Sequence, residues 1–179
     1  MEADWEVEIA PDAPVIDGAW AGLVDLRHIP ERVNEIGEVV ELSALTDVLL
    51  RLNSADSPVW TAKCDFWAVE EFDPDEMAVE PGEARVAIAC YLDLLPTDDR
   101  AWRTLDEIAD WSRQMSKTLQ AIPLRGCRAD LVIRRGFLSP QQTCLGVTAY
   151  LTACGAGEDQ SRTTLGEALR AFAGAVAGR

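Results

Sequence analysis

The sequence has few of the groups on which enzymes usually depend. It contains a single histidine, His28, in an ordinary loop context, so any Ser–His or Cys–His mechanism would need this residue as its base. Glycine-rich phosphate-binding loops and the H-E-x-x-H and G-x-S-x-G motifs are all missing. A surface or helix-entry histidine is therefore favoured over a catalytic one, and we predict no cofactor and no bound metal.

Paired cysteines and long apolar runs are also lacking. The cysteines are odd in number and none are spaced as C-x-x-C, so we expect buried free thiols at Cys64, Cys90, Cys127, Cys144 and Cys154. The longest strongly apolar stretch, Val86–Leu92, is much shorter than a membrane span, and the acidic first residues do not resemble a signal peptide. These absences predict a cytoplasmic protein that does not associate with a membrane.

Positive charge is scarce and unevenly placed. Of 16 basic residues only Lys63 and Lys117 are lysines, a composition that suggests a bacterial source. Residues 1–83 carry a formal net charge of −17 and residues 84–179 one of +2, which together give −15. A field this negative repels nucleic-acid phosphates and anionic membranes, so we expect neither as a partner. The acidity serves either solubility or the binding of a basic protein partner.

Length and composition predict one folded domain over residues 1–179. The chain is 48% apolar and contains six tryptophans, which excludes disorder as a general description. A chain of this length buries close to 70% of the surface that it exposes when unfolded, so it needs no disulfide or metal to fold. The acidic N-terminal segment, residues 1–13, could be loosely ordered.

The first helical segment is open to two interpretations. Pro30–Asn53 has apolar residues near helical spacing and a proline in its first turn, which favours a helix start. Gly37 weakens the early part of this segment, and Ser43 is a plausible N-cap. The alternative is a helix over Ser43–Leu52 only, preceded by an extended Glu38–Leu42.

Two further helices are clearer. The second is predicted to begin at Asp98 and Asp99, to stop at Pro123 and to bury a face that includes Leu105. The third covers residues 161 to about 176.

Four segments alternate between apolar and polar residues with a period of two, as strands covered on one face do. In the first, Trp60, Ala62 and Cys64 are expected to share one face. A weaker candidate strand, Gly18–Leu26, precedes them. The four strands are Val59–Glu70, Arg85–Leu95, Arg128–Leu138 and Thr143–Cys154. The sequence thus predicts an α+β fold with an antiparallel sheet of four or more strands, helices mainly on one face and the order (β)αββαββα.

The two halves of this pattern resemble each other. Residues 89–92 (ACYL) match residues 148–151 (TAYL), and residues 104–107 (TLDE) match residues 164–167 (TLGE), at nearly constant spacing. Each match lies in a strand or in the helix that follows it. The pattern favours an internal duplication of a ββα unit over chance similarity.

The predicted hairpin connections differ in charge. The loop Glu70–Gly82, with Pro81, is dense in acids, and Asp73 and Asp75 superficially resemble part of a calcium site, but the glycine and closing glutamate of an EF-hand are missing. A solvated acidic loop is favoured over weak divalent binding. The second connection, Leu138–Gln142, is a short turn.

Two groups of side chains are candidates for binding. The sheet face opposite the apolar one carries aromatic and charged residues around small ones, which is typical of a shallow pocket or a protein contact; an N-terminal segment with Trp5 and Trp20 could instead cover this face. The face consists of Lys63, Asp65, Trp67, Tyr91, Thr148 and Tyr150. The second group is a basic cluster that either binds an anion or, as we favour, pairs with acidic residues. It consists of Arg125, Arg128, Arg134 and Arg135.

These features lead to three functional hypotheses. The favoured one is a non-enzymatic acidic interaction protein of chaperone or adaptor type, a homodimer that binds a basic protein. Its element order is similar in outline to secretion-chaperone-like folds, which are small, acidic and dimeric. The alternative is a small-molecule-binding domain with a crevice between the two ββα repeats, suited to a cationic or flat apolar ligand. An enzyme using carboxylate, arginine or cysteine chemistry ranks last.

Overall fold

A mixed, mostly antiparallel sheet is the centre of the fold. The structure is a computed structural model and describes residues 1–80, 82–139 and 141–178. The six strands within these residues are β1 (Glu2–Val7), β2 (Val15–Asp17), β3 (Val59–Val69), β4 (Val86–Pro96), β5 (Cys127–Ser139) and β6 (Gln142–Gly155). Pro81 and Pro140, which belong to the two predicted connections, lie outside the described residues. The prediction of an α+β fold is confirmed, and the sheet, which was predicted to be antiparallel, is mostly so.

The order across the sheet is β1–β5–β6–β4–β3, and β2 also pairs with β5. The four long strands pair antiparallel, whereas β1 and β2 run parallel to β5 along its outer edge. The predicted strand Gly18–Leu26 is wrong, because this segment is a series of turns in which Trp20 folds back and donates from Nε1 to the carbonyl of Ala62. The N-terminal segment contributes β1, and Glu2 to Val7 pair with Arg128 to Ile133.

The α-helices of the described residues lie on one face of the sheet, whereas the 3-10 helix Asp75–Met77 packs at one end of the other face. They are α1 (Gly37–Glu41), α2 (Ala44–Leu52), α3 (Leu105–Gln120) and α4 (Glu158–Val176), with 3-10 helices at Pro30–Glu35 and Asp75–Met77. Phe172 of α4 and Ile108 of α3 are fully buried in the main core, together with Leu92, Leu131 and Ala149 of the sheet. In the part of the chain that the structure covers, no helix has both the length and the apolar character needed to cross a membrane.

The first helical segment is divided rather than continuous. A 3-10 helix, α1 and α2 follow each other, separated by Ile36 and Leu42, whose backbone angles are non-helical. The alternative of an extended Glu38–Leu42 is therefore wrong, since Gly37–Glu41 is a short helix. Ser43 precedes α2 but forms no side-chain capping hydrogen bond.

The second helix begins later than its acidic residues suggest. Thr104, not Asp98 or Asp99, is its N-cap: its hydroxyl accepts from the Glu107 backbone N–H while the Glu107 carboxylate accepts from the Thr104 N–H. This reciprocal capping box satisfies two amides that would otherwise lack partners. Leu105 is 38% exposed and does not belong to the buried face.

A bulge in β3 changes which side chains share a face. The pairing with β4 shifts between Thr61 and Lys63, so Trp60 and Ala62 lie beside Leu95 on the face without α-helices, whereas Cys64 lies in the main core. The expectation that Trp60, Ala62 and Cys64 share a face is wrong, because a bulge inserts one extra residue and reverses the alternation.

Candidate functional site

Three aromatic rings form a cluster in the middle of the face without α-helices. Tyr91 of β4 lies directly opposite Tyr150 of β6, and their ring centroids are 6.1 Å apart. Trp67 of β3 lies 6.2 Å from Tyr91 and 6.4 Å from Tyr150. These are distances at which aromatic rings attract one another in tilted and edge-on arrangements. Trp67 remains 41% exposed, so the cluster presents an open aromatic surface.

Both ends of this face are covered, which confines the open surface to its middle. At one end Ile16 of β2 packs with Trp60 and Leu95 in a small second core. At the other end Met77, from the acidic loop, packs over Ala87 and Cys154 in a third. The segment that contains β2 therefore covers part of the face, but it leaves the aromatic cluster uncovered.

Carboxylates stand on both sides of the cluster. Asp65 pairs with Tyr91 on one side, and Asp130 pairs with Tyr150 on the other. Asp4 continues this row beyond Asp130, and Glu2 and Glu6 point to the same side of β1 because side chains alternate along a strand. Arg128, Arg134 and Lys63 on the same face neutralise part of this charge, but the net surroundings of the aromatic surface are negative, which attracts cations.

A chain of polar contacts lies next to the rings. Arg134 of β5 donates from Nη2 to Glu8 at 2.7 Å and from Nη1 to Thr148 Oγ1 at 3.3 Å. The Thr148 hydroxyl in turn donates to Asp93 Oδ1 at 2.6 Å. Arg134 also lies over the Tyr150 ring, 5.6 Å from its centroid, with a side chain only 12% exposed.

Among the described carboxylates whose pKa departs from its ordinary value, that of Asp93 is raised, whereas those of Asp25 and Glu35 are lowered by their arginine partners. Burial raises the pKa of Asp93, while the Thr148 hydrogen bond and the positive charges of Arg134 and Lys63 oppose this in part. Burial, with the nearby negative charge of Asp93, also raises the pKa of Tyr91. Perturbed groups of this kind concentrate at functional sites, although ion-pair networks also produce them.

These side chains border a cavity of about 330 Å³. Asp93, Arg134 and the two tyrosines come from the sheet, and the N-terminal segment supplies the other wall. The lining residues are Pro14, Val15, Asp17, Trp20, Lys63, Tyr91, Asp93, Arg134 and Tyr150. The Lys63 ammonium lies 5.9 Å from the Trp20 ring centroid and forms no ion pair with a described residue.

All six residues of the predicted face are brought together by the structure. Lys63, Asp65 and Trp67 lie on β3, Tyr91 on β4, and Thr148 and Tyr150 on β6. Their assignment as a binding surface stays a prediction.

Sequence reasoning did not single out Asp93 or Asp17 as members of this site, and it named Trp20 only as part of a segment that could cover the face. Asp93 could have been found, because it stands two residues after Tyr91 on the same strand. Asp17 gave no such signal, since its position depends on how a distant segment folds over the sheet.

The four arginines of the basic cluster all have partners within the chain. Arg128 contacts Asp130 at 2.7 Å, and Arg134 contacts Glu8. Arg135 donates to the carbonyls of Ala10 and Pro11, and Arg125 to that of Ala78. Arg128 and Arg134 contact carboxylates, whereas Arg125 and Arg135 donate to backbone carbonyls, so the choice between acid pairing and anion binding stays a prediction for this cluster.

The remaining reactive groups lie apart from this site. His28 is exposed in a turn ahead of the first 3-10 helix. The five cysteines are free, and four of them are buried. Burial raises the pKa of Cys64 to about 12 and the pKa values of Cys127 and Cys144 to about 11, so these thiols are poor nucleophiles at neutral pH. Among described residues, no three His, Cys, Asp or Glu side chains cluster as metal ligands do.

No protein-family model, curated protein or solved structure matches the chain. The chemistry of the site must therefore be argued from its own residues. Aromatic faces, exposed carboxylates and a partly buried carboxylate are groups that bind cations through charge and through the ring quadrupole.

Proposed function

We propose that this protein is a non-enzymatic binding protein of chaperone or adaptor type, whose aromatic face binds a basic segment of a partner protein. One observation carries the proposal: the Trp67–Tyr91–Tyr150 cluster is open and lies between Asp65 and Asp130. Aromatic residues supply most of the binding energy in many interfaces, and arginine side chains stack on them. The surrounding carboxylates make a basic segment the complementary occupant.

A homodimer and a cytoplasmic location belong to the same proposal. The unpaired cysteines support a reducing compartment, in which disulfides rarely persist. Two acidic aromatic faces would repel each other, so a dimer would have to use another surface, such as the one around Val40, which is 76% exposed. Light scattering that finds a strict monomer at micromolar concentration would contradict the dimer and leave the binding face untouched.

The binding proposal is tested by calorimetry with a blocked peptide of alternating glycine and arginine. Its control is the same peptide with citrulline, which has arginine's shape but no charge. We expect binding of the arginine peptide that weakens with salt, because exposed charges are screened. Trp67→Ala should weaken binding by about tenfold, corresponding to the loss of roughly 1.4 kcal/mol of cation–aromatic contact.

Matched variants separate this face from the general acidity of the chain. Asp65→Asn, beside the cluster, should weaken binding, whereas Asp47→Asn on the exposed side of α2 should have little effect. Equal binding of both peptides would show that positive charge is not recognised. Equal effects of the two aspartate variants would show that the chain attracts cations without using this face.

The small-molecule alternative has its own support. Tyr91 and Tyr150 occupy matching places in the two similar segments and also pair directly across β4 and β6, which supports a duplicated ββα unit with its local two-fold axis between them. The cavity of about 330 Å³ beside this axis is large enough for a small ligand. A ligand from a metabolite library that raises the melting temperature of the native protein, but not of Tyr150→Ala, would favour this alternative.

A further inference from the structure

The cavity beside the aromatic cluster contains a carboxylate with only one oxygen engaged. Asp93 Oδ1 accepts from the Thr148 hydroxyl at 2.6 Å, whereas Oδ2 has no hydrogen bond to any described residue. Oδ2 is not among the enclosed unpaired side-chain atoms of the described residues, so it is open to the cavity and a donor from solvent or from a ligand can reach it. The cavity provides the space through which such a donor could approach.

The walls of the cavity favour a flat cation. The rings of Tyr91, Tyr150 and Trp20 line it, and a guanidinium group stacks on aromatic rings while it donates hydrogen bonds in its own plane. Arg134 lines the cavity but does not donate a hydrogen bond to Asp93, because its guanidinium already donates to Glu8 and Thr148.

Two other charges face the cavity. Asp17, from the N-terminal segment, adds negative charge. Lys63, directly across from Asp93 on β3, adds an ammonium group that is paired with neither carboxylate. Lys63 would therefore repel an incoming cation, or compete with it for Asp93.

We propose that this cavity receives the guanidinium end of one arginine side chain of the basic partner, with Asp93 as its counter-ion and Lys63 as a built-in competitor. This inference rests on the proposed function, since it names the point at which the aromatic face anchors its occupant. It makes opposite predictions for two adjacent residues. Loss of the Asp93 charge weakens binding, and loss of the Lys63 charge strengthens it.

Calorimetry with the glycine–arginine peptide tests both signs. Asp93→Asn should raise the Kd by about tenfold or more, the loss expected for a hydrogen bond to a charged group. Lys63→Gln should lower the Kd by roughly twofold to fivefold, as expected for removing one exposed like charge. An unchanged Kd in Asp93→Asn, or weaker binding in Lys63→Gln, would overturn the arginine site at Asp93.

The experiments distinguish failure of the arginine site at Asp93, here called the anchor, from failure of the aromatic face as a binding surface. If Trp67→Ala weakens peptide binding but Asp93→Asn does not, the face binds its partner without this anchor. If the wild-type protein binds no peptide, the proposed function fails. Binding of arginine in the cavity is then tested separately with a small arginine derivative.

The arginine derivative is N-acetyl-arginine methylamide, titrated into the wild-type protein and followed by NMR. We expect saturable shifts at the backbone amides of Thr148 and Tyr150, with none from the citrulline counterpart. Equal shifts from both compounds, or no shifts, would overturn the anchor without reliance on any variant. Asparagine retains an acceptor for the Thr148 hydroxyl, so Asp93→Asn should fold, and its melting temperature serves as the check.

Discussion

Tyr91 and Tyr150 lie directly opposite each other on neighbouring antiparallel strands, with their ring centroids 6.1 Å apart and their planes inclined by 54°. This pair is the centre of the face, because Trp67 touches both rings and Asp65 and Asp130 lie at the two ends of the same row. The contact also bears on stability, since it joins the two central strands on the side without α-helices.

The aromatic pair should contribute a measurable coupling energy. In a double-mutant cycle of Tyr91→Ala and Tyr150→Ala, urea unfolding should give a favourable interaction of about 0.5–1.5 kcal/mol, which is typical of a ring pair in this arrangement. A control cycle of Tyr91→Ala with Trp111→Ala, on the opposite side of the sheet, should be additive. A coupling near zero for the tyrosines would show that the rings are merely adjacent.

Asp93 should reduce stability at neutral pH. Burial raises the pKa of Asp93 above its ordinary value of 3.8, so the folded protein holds this proton more tightly than the unfolded chain. The unfavourable contribution is then absent below the unfolded pKa and grows as the pH rises through the folded one. Asp93→Asn should therefore melt higher than wild type at pH 7, by about 2 °C or more, and at the same temperature near pH 3.

The groups that face Asp93 limit this effect. Lys63, Arg134 and Thr148 favour its ionised form, while Asp17 and Tyr91 border the same cavity. Scanning calorimetry at several pH values measures the difference. A lower melting temperature for Asp93→Asn at pH 7 would mean that these neighbours outweigh the cost of burial.

The capping box at the start of α3 should contribute measurably to the free energy of unfolding. Thr104→Ala removes the hydroxyl that accepts from the Glu107 amide, and we expect it to lower the free energy of unfolding by about 1 kcal/mol. Thr118→Ala is the matched control, because the Thr118 hydroxyl only donates to a carbonyl one turn earlier on the exposed side of the same helix. Equal costs for the two variants in urea unfolding would contradict the cap.

Gly146 allows the N-terminal segment to approach the sheet closely. A Cβ at this position would lie 2.7 Å from the Leu94 carbonyl oxygen and 2.9 Å from Ile16, so Gly146→Ala should cost roughly 1–3 kcal/mol. Hydrogen exchange in residues 15–23 should accelerate. Gly37→Ala, where a Cβ meets nothing within 4 Å, should be neutral or stabilising by less than about 1 kcal/mol.

The thiols should be unreactive until the protein unfolds. Burial raises the pKa of Cys144, the least buried of the five cysteines, to about 11, and that of Cys64 to about 12, so few thiolates exist at pH 8. Ellman's reagent should titrate five thiols in guanidinium chloride but react slowly with the native protein. One thiol that reacts within seconds in the native state would identify an activated cysteine that this structure does not account for.

The helices show how far local patterns can be trusted. Apolar spacing located α3 and α4, but acidic residues alone misplaced the start of α3, because Asp98 and Asp99 are as favourable near a helix start as the true cap at Thr104. The boundaries of the helices in residues 30–53 were harder to predict. Gly37 and the apolar spacing of residues 30–53 did not indicate that Ile36 and Leu42 would divide it into three short pieces.

The sequence by itself determined that the three rings of the cluster share one face, since strand alternation beyond the bulge follows from the backbone and requires no knowledge of strand order. Trp67, Tyr91 and Tyr150 could therefore be grouped before any fold was known. Tertiary structure alone decided the remainder: the bulge that reverses Trp60, and the contact of Arg134 with Glu8 across 126 residues. Such contacts depend on which distant segments pack together, and no local spacing in a chain encodes that choice.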